Sequence, residues 1–231
     1  SNQAWLDQVK EEIIEPSREI CDPHHHLWER DGSTYLLNEI LADIYTGHNV
    51  ISTVFVECAA MFNADLPIEL APIGETEFVQ GIAAMSNSGQ YGDCRVAAGI
   101  VGFADLTLRE SVRPLLEAHV NASPNRFKGI RYAAGWHKSD LIKNSHSHPM
   151  EHQFLQEDFQ AGFRVLAELN LSFDAWCYHT QIRDLVELAV NNPDVEIILD
   201  HFAGPLGIGP YTNKLDAVFQ HWQEEIVALR D

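Results

Sequence analysis

Six apolar runs of strand length, each followed by a segment with helical spacing, constrain this chain more than any other feature. The runs cover residues 19–22, 50–58, 95–101, 127–132, 171–179 and 195–201, and the helical segments cover 35–45, 76–86, 108–122, 158–169, 182–191 and 213–229. Strands that alternate with helices predict a parallel sheet. The run 50–58 is apolar on both faces, which suits a strand covered on both sides. A further helix is expected over residues 4–14, where Trp5, Leu6, Val9, Ile13 and Ile14 fall at helical spacing before Pro16. It would pack on the outside of the main body. No linker or low-complexity stretch divides the sequence, so residues 1–231 read as one domain, and 45% apolar content at this length buries a sizeable core.

Chemistry-bearing side chains gather where the runs end: His24 and His26, Glu57, Arg131, His179 and His201. Active sites lie at the carboxyl ends of strands in β/α barrels and in open doubly wound sheets alike. The first run enters Asp22-Pro23-His24-His25-His26-Leu27-Trp28. In extended backbone alternate side chains share a face, so His24 and His26 point together while His25 points oppositely. Two imidazoles so placed can chelate one divalent ion or grip one anionic substrate atom, with further ligands brought from later strands.

Composition narrows the partners. Fifteen basic against 34 acidic residues give a formal charge of −19, which repels nucleic acid and anionic membranes and leaves a diffusible small molecule as the expected substrate. Cys21, Cys58, Cys94 and Cys177 show no CxxC spacing, and three of them fall inside apolar runs, where reduced, buried thiols are expected. No apolar stretch reaches the ~18 residues of a membrane span, and the N-terminal residues lack a signal pattern. A cytoplasmic location is the expectation; assembly into a homo-oligomer is left open.

With these positions in place, the chain resembles the amidohydrolase superfamily, in its amidohydrolase-related, lactonase-like group. The matching pieces are the histidine motif at 22–28, Val56-Glu57-Cys58, Gly74-Glu75-Thr76-Glu77-Phe78, Phe127-Lys128-Gly129-Ile130-Arg131, Leu171-Ser172-Phe173-Asp174-Ala175-Trp176 with Tyr178-His179, and Leu199-Asp200-His201. The resemblance implies an α/β fold of the (β/α)8 TIM-barrel type, with the His-x-His pair on strand one and further histidines on strands five and six. It also implies hydrolysis of a small cyclic ester, a sugar-acid or dicarboxylic lactone. Relatives continue through a seventh and an eighth strand, and the eighth supplies an acidic or amide residue. This chain covers about the first six β/α units, so the domain is expected to be incomplete at its C-terminus, and the general base is left open.

The candidates have plainer readings too. His24, His26, His179, His201 and Glu57 are the expected ligands of a divalent metal, zinc first and manganese second. The metal-free members of the group leave a metal-independent lactonase open. Glu57 has an alternative as a salt-bridge partner of Arg131, since a buried carboxylate must be paired or metal-bound. Arg131 would anchor a substrate carboxylate or ring hydroxyl and assist catalysis. Asp200 and His201 are the remaining catalytic candidates, although strand alternation points them to opposite sides unless the strand end bulges. Asp22 would orient an imidazole or cap a turn. Trp176 and Tyr178 would line a substrate pocket or pack in the barrel. His146, His148 and His152 lie in a long loop that reads as solvated, with an accessory metal site or a cover over the site as the sharper option.

The function that follows is a metal-dependent hydrolase of a small lactone acting through metal-activated water. A nonoxidative decarboxylase on the same scaffold and a non-catalytic truncated member are the rivals.

Overall fold

A computed structural model describes residues 3–6 and 8–229. The chain opens with α1 (Gln3–Leu6) and β1 (Glu19–His25), followed by a small hairpin of β2 (Trp28–Arg30) and β3 (Ser33–Tyr35). Strand β1 begins a main sheet of six parallel strands. It continues through β4 (Asn49–Val56), β5 (Arg95–Gly102), β6 (Phe127–Ala133), β7 (Ser172–Trp176) and β8 (Ile197–Leu199), paired in chain order. Helices α2 (Leu37–Ile44), α3 (Ile73–Asn87), α4 (Arg113–Ala122), α5 (Glu157–Glu168), α6 (Ile182–Asn191) and α7 (Leu215–Ala228) complete the repeating β/α order. Successive strands of the main sheet are neighbours throughout, which is the winding of a barrel and not of a doubly wound sheet. Six of the eight strands of a (β/α)8 barrel are present, curled into a partial barrel.

Why these segments adopt these forms follows from their patterns. Helix α6 turns Ile182, Leu185 and Leu188 inward at three-residue spacing. Helix α5 does the same with Phe159, Phe163 and Leu166. Phe154, Phe159, Phe163 and Phe173 are fully buried and meet mostly at steep angles, with Phe163 and Phe173 5.0 Å apart. Each such ring contributes roughly 2–3 kcal/mol through burial, and aromatic packing adds to it. This knot fixes β7 against α5, and so fixes the strand end that carries Trp176.

Several expected boundaries move. The helix expected over residues 4–14 shrinks to α1; beyond it the described backbone is irregular, and Val9 and Ile14 are exposed. A short helix without a buried face has little to hold it. The segment expected as one helix over 108–122 divides into a 3-10 turn (Leu106–Val112) and α4, with Arg109 left-handed at φ 57° inside the turn. The β2–β3 hairpin, which the apolar runs do not announce, closes over Asp31-Gly32, both at positive φ. Asp-Gly is a strong signal for such a turn. Of the three cysteines inside the apolar runs, Cys177 is buried as expected, Cys58 is half-buried and Cys21 is exposed, because β1 lies at the sheet's edge; Cys94, just before its run, is buried as well. No helix among the described residues is long and apolar enough to cross a membrane.

Candidate active site

The first and last strands of the sheet bring the central group together. Strand β1 ends in the histidines, and its register against β4 slips between Asp22 and His25, where three steps on one strand meet two on the other. Asp22 accepts from the His24 N–H at 3.1 Å, so it caps this bend. His25 turns to the opposite side, where Nε2 meets Thr53 Oγ1 at 2.8 Å and its ring lies against Phe55. His24 and His26 stay on the site side, their rings perpendicular and 5.0 Å apart.

His26 donates from Nδ1 to the Val56 carbonyl at 2.7 Å. That bond fixes the tautomer: Nε2 keeps its lone pair and is the atom free to bind. Burial pushes the imidazole down to about 4, so it is neutral near pH 7.

At the far side, β8 stops at Leu199, earlier than the run 195–201 implied. His201, Phe202 and Ala203 then adopt left-handed φ of 49°, 55° and 56° before Gly204. Three successive non-glycine residues in this region are costly, and such strain gathers where a site requires it. Its consequence here is direct. The turn cancels strand alternation and brings Asp200 and His201 to the same side. One ligand atom from each of His24, Asp200 and His201 lies within 4.8 Å of the others. His24 Nδ1 stands 3.6 Å from Asp200 Oδ1, and the His24 and His201 rings are 4.6 Å apart. Asp200 Oδ2 is buried without a hydrogen-bond partner.

Arg131 and Glu57 sit beside this group. Glu57 lies one residue past β4 and is fully buried, and Arg131 is nearly so. The guanidinium donates from Nε to Glu57 Oε1 at 2.8 Å and from Nη2 to the Glu57 carbonyl at 2.5 Å. The salt-bridge alternative for Glu57 is therefore what the structure contains. Arg131 keeps only Nη1 for the site: it donates to His24 Nε2 at 3.4 Å and lies 3.8 Å from Asp200 Oδ2. Glu57 Oε2 has no hydrogen-bond partner, and His146 Nε2 is 3.9 Å away.

Asp174, to which the sequence motif alone assigns no role, belongs here. It pairs in register with Arg131 across β6 and β7, so the two share a face. Burial, with the Asp200 charge second, pushes its carboxyl up to about 7, against the opposing pull of His24 and Arg131. A signal for it exists: an acid at an inward position of an apolar strand needs a reason to be there.

The other candidates are placed elsewhere. His179 lies beyond β7 in a one-turn helix (His179–Gln181). Its ring packs against Tyr211 and His221 at 5.2 and 5.7 Å, and Nδ1 accepts from the Leu206 N–H at 3.4 Å. It is not part of the His24 group. Trp176 does reach the site, with its indole 5.1 Å from the His201 ring. The φ of 38° at Gly204 and its closeness to that indole leave no room for a side chain there. Tyr178 gives its hydroxyl to the Lys143 carbonyl, bracing the loop after β6. In that loop His146 turns toward Glu57, while His152 pairs with Asp184 at 3.0 Å; the accessory metal cluster is not assembled among the described residues.

This is a partial β/α barrel with a histidine–aspartate group at the carboxyl ends of its strands. The family model described as amidohydrolase matches residues 21–230, and the chain belongs to that family. The uncharacterized protein y4mH of Sinorhizobium fredii is 31% identical in an alignment 204 residues long that covers 79% of this chain and 61% of that protein. Among solved structures, the fold is similar to an amidohydrolase from Burkholderia multivorans with bound zinc. The TM-score is 0.63 at 17% identity, covering 90% of this chain and 65% of that one. It is also similar to an amidohydrolase 2 from Bifidobacterium longum subsp. infantis, with TM-score 0.50 at 16% identity over 92% of this chain and 79% of that one. The chain therefore spans less than two thirds of the length of the first two relatives.

Proposed function

We propose that this chain carries the metal-binding and carbonyl-polarising part of a hydrolase that opens a small lactone. The observation that carries the reading is the convergence of His24, Asp200 and His201 within 4.8 Å. Imidazole and carboxylate suit a divalent ion of the zinc or manganese kind. Asp200 Oδ2 is buried without a hydrogen-bond partner, and the Nδ1 bond of His26 leaves its Nε2 lone pair available, so the residues fit such an ion. His24, His26, His201 and Asp200 would hold it. When bound, it would polarise the ester carbonyl and lower the pKa of a water at the site.

The chain's own side chains do the rest. Arg131, locked by Glu57, presents Nη1 to the site as a fixed positive donor toward negative charge developing on the carbonyl oxygen. Asp174, neutral or charged near pH 7, is suited to pass a proton to the leaving alkoxide as the ring opens. Asp200 stands against the His24 ring as a ligand, while Asp174, its carboxyl raised by burial, is placed to serve as the proton donor. Trp176 shields His201 on one side.

A metal-free variant of the same hydrolysis is the second reading. The Arg131–His24 contact favours it, since that bond occupies His24 Nε2 and lets a charged donor polarise the carbonyl directly.

Elemental analysis of purified protein, beside a His24→Ala/His26→Ala variant, tests the choice together with lactone hydrolysis before and after chelation. Near-stoichiometric metal that the variant loses, with hydrolysis that chelation abolishes, supports the first reading. Chelator-resistant hydrolysis by metal-free protein selects the second. Absence of hydrolysis across neutral and acidic lactones, with metal supplied, sinks both.

A further inference from the structure

Beside Glu57, outside the histidine group, lies a cavity of ≈ 380 Å³. Phe62, Ile68, Phe103 and Leu108 give it apolar walls, and Glu69 and Asp105 are the charged residues of its lining. Phe62, Phe103 and Tyr132 form a row of nearly parallel rings, with centroids 6.3 and 6.1 Å apart. Phe62 and Phe103 face the cavity while Tyr132 is buried behind them, and the two lining rings make a wall that receives a flat or hydrocarbon group by burial and offset stacking.

His146 joins this cavity to the reaction site. It lines the cavity, and its Nε2 is 3.9 Å from Glu57 Oε2. The neighbouring Ser147 hydroxyl is bonded to the Ala133 carbonyl at the end of β6, which anchors the segment that carries His146. A substrate whose ester lies at His24 and Arg131 would therefore extend an arm past His146 into the aromatic wall.

Charge decides what that arm can be. None of the lining residues is a lysine or arginine, and both charged ones are acids. The nearby guanidinium of Arg131 is held through two of its nitrogens by Glu57. A carboxylate entering here would be desolvated next to like charge with no cation to meet it.

We propose that this cavity is the subsite for an uncharged aryl or alkyl arm of the substrate, and that it rejects a substrate arm bearing a carboxylate. The proposal rests on the lactone reading of the same site, and it replaces the dicarboxylic half of that expectation with a neutral, apolar-substituted ring. Ile68 and Phe62 set the selectivity, because Ile68 is 83% exposed at the entrance and Phe62 ends the aromatic row.

Lactams resist hydrolysis, so their binding separates this subsite from the chemistry. Calorimetry on the full chain would compare an unsubstituted δ-lactam, its phenyl derivative and its 4-carboxyphenyl derivative, while hydrolysis of the unsubstituted δ-lactone is followed separately. The phenyl lactam is expected to bind about tenfold tighter than the carboxyphenyl one. Phe62→Ala should weaken the phenyl lactam alone, and Ile68→Lys, at an exposed position, should narrow the gap several-fold by supplying a cation. Equal or tighter binding of the carboxyphenyl lactam, no binding of the phenyl lactam, or indifference to both substitutions overturns the subsite. If the lactam ranking holds while no lactone is hydrolysed, the subsite stands and the lactonase reading fails.

Discussion

Two histidine clusters stand above the sheet, and they differ in their company. In one, His24 and His201 meet Asp200, with His26 beside His24 and with Arg131, Glu57 and Asp174 packed around them. In the other, His179 meets His221 and Tyr211, and His137 bonds the Tyr211 hydroxyl at 3.2 Å. Burial lowers His26 and His179 alike to about 4. A depressed imidazole therefore does not distinguish a site from a packed core. The carboxylates and the guanidinium do: in the first cluster Asp200 stands within ligand distance of two imidazoles, and a guanidinium is committed to a buried acid beside them.

The strongest break of that comparison removes the guanidinium. Arg131→Met leaves Glu57 buried and unpaired, and a loss of about 3–5 kcal/mol is expected in denaturant unfolding. Adding Glu57→Gln should recover much of it, since the double change leaves no bare charge. Equal destabilisation in the double variant would mean that packing, and not the ion pair, is what Arg131 supplies.

The first cluster also leans on Glu75, one step behind Glu57. Its Oε1 accepts from the Cys58 and Ala60 N–H groups at 3.0 and 2.8 Å, which shapes the loop after β4. Burial raises this carboxyl from 4.5 to about 7. A raised acid holds its proton longer in the folded state. Its contribution to stability is full below about pH 4.5 and is lost as pH rises through about 7, on the order of 3 kcal/mol in all. The depressed histidines act in the opposite direction below pH 6.5, so the informative quantity is a difference. Glu75→Gln keeps the acceptor oxygen, and its stability relative to the parent should rise between pH 5 and 7.5. A difference flat with pH would mean that Glu75 is ionised in the fold.

Asp200→Asn tests the metal reading directly. An amide at this position should lower zinc affinity by about 100-fold with little change in stability, read by competition with a chromogenic chelator. Unchanged affinity would move the metal to other ligands or remove it from the mechanism.

Much of this arrangement is legible in the amino-acid sequence. Apolar runs in alternation with helices dictate the parallel order, because that pattern has few other ways to bury both faces of a sheet. The strand parity of His24 and His26 sets their shared direction. Parity fails at Asp200 and His201, where left-handed backbone replaces the strand, and nothing in Leu199-Asp200-His201-Phe202 announces three positive φ values in a row. Whether Glu57 binds Arg131 is a choice between two satisfactory partners for one buried acid, and only three-dimensional proximity resolves such a choice. Asp174 is readable in principle as an acid on an inward position.

His179 sharpens the comparison with the smallest expected effect. The family resemblance implies a ligand there, whereas its neighbours in the structure are Tyr211, His221 and the Leu206 N–H. Its ring is buried, yet its Nε2 has no partner and its hydrogen bond to Leu206 is long, so His179→Ala should lose only about 1–2 kcal/mol, mostly as packing. In a chain of this size that lowers Tm by several degrees. Metal content and lactone turnover should remain within about twofold of the parent, since nothing in the His24 group touches this ring. A folded His179→Ala protein that has lost its metal would show that the two clusters close on one another when the ion binds, and that His179 joins the ligand set only in that closed arrangement.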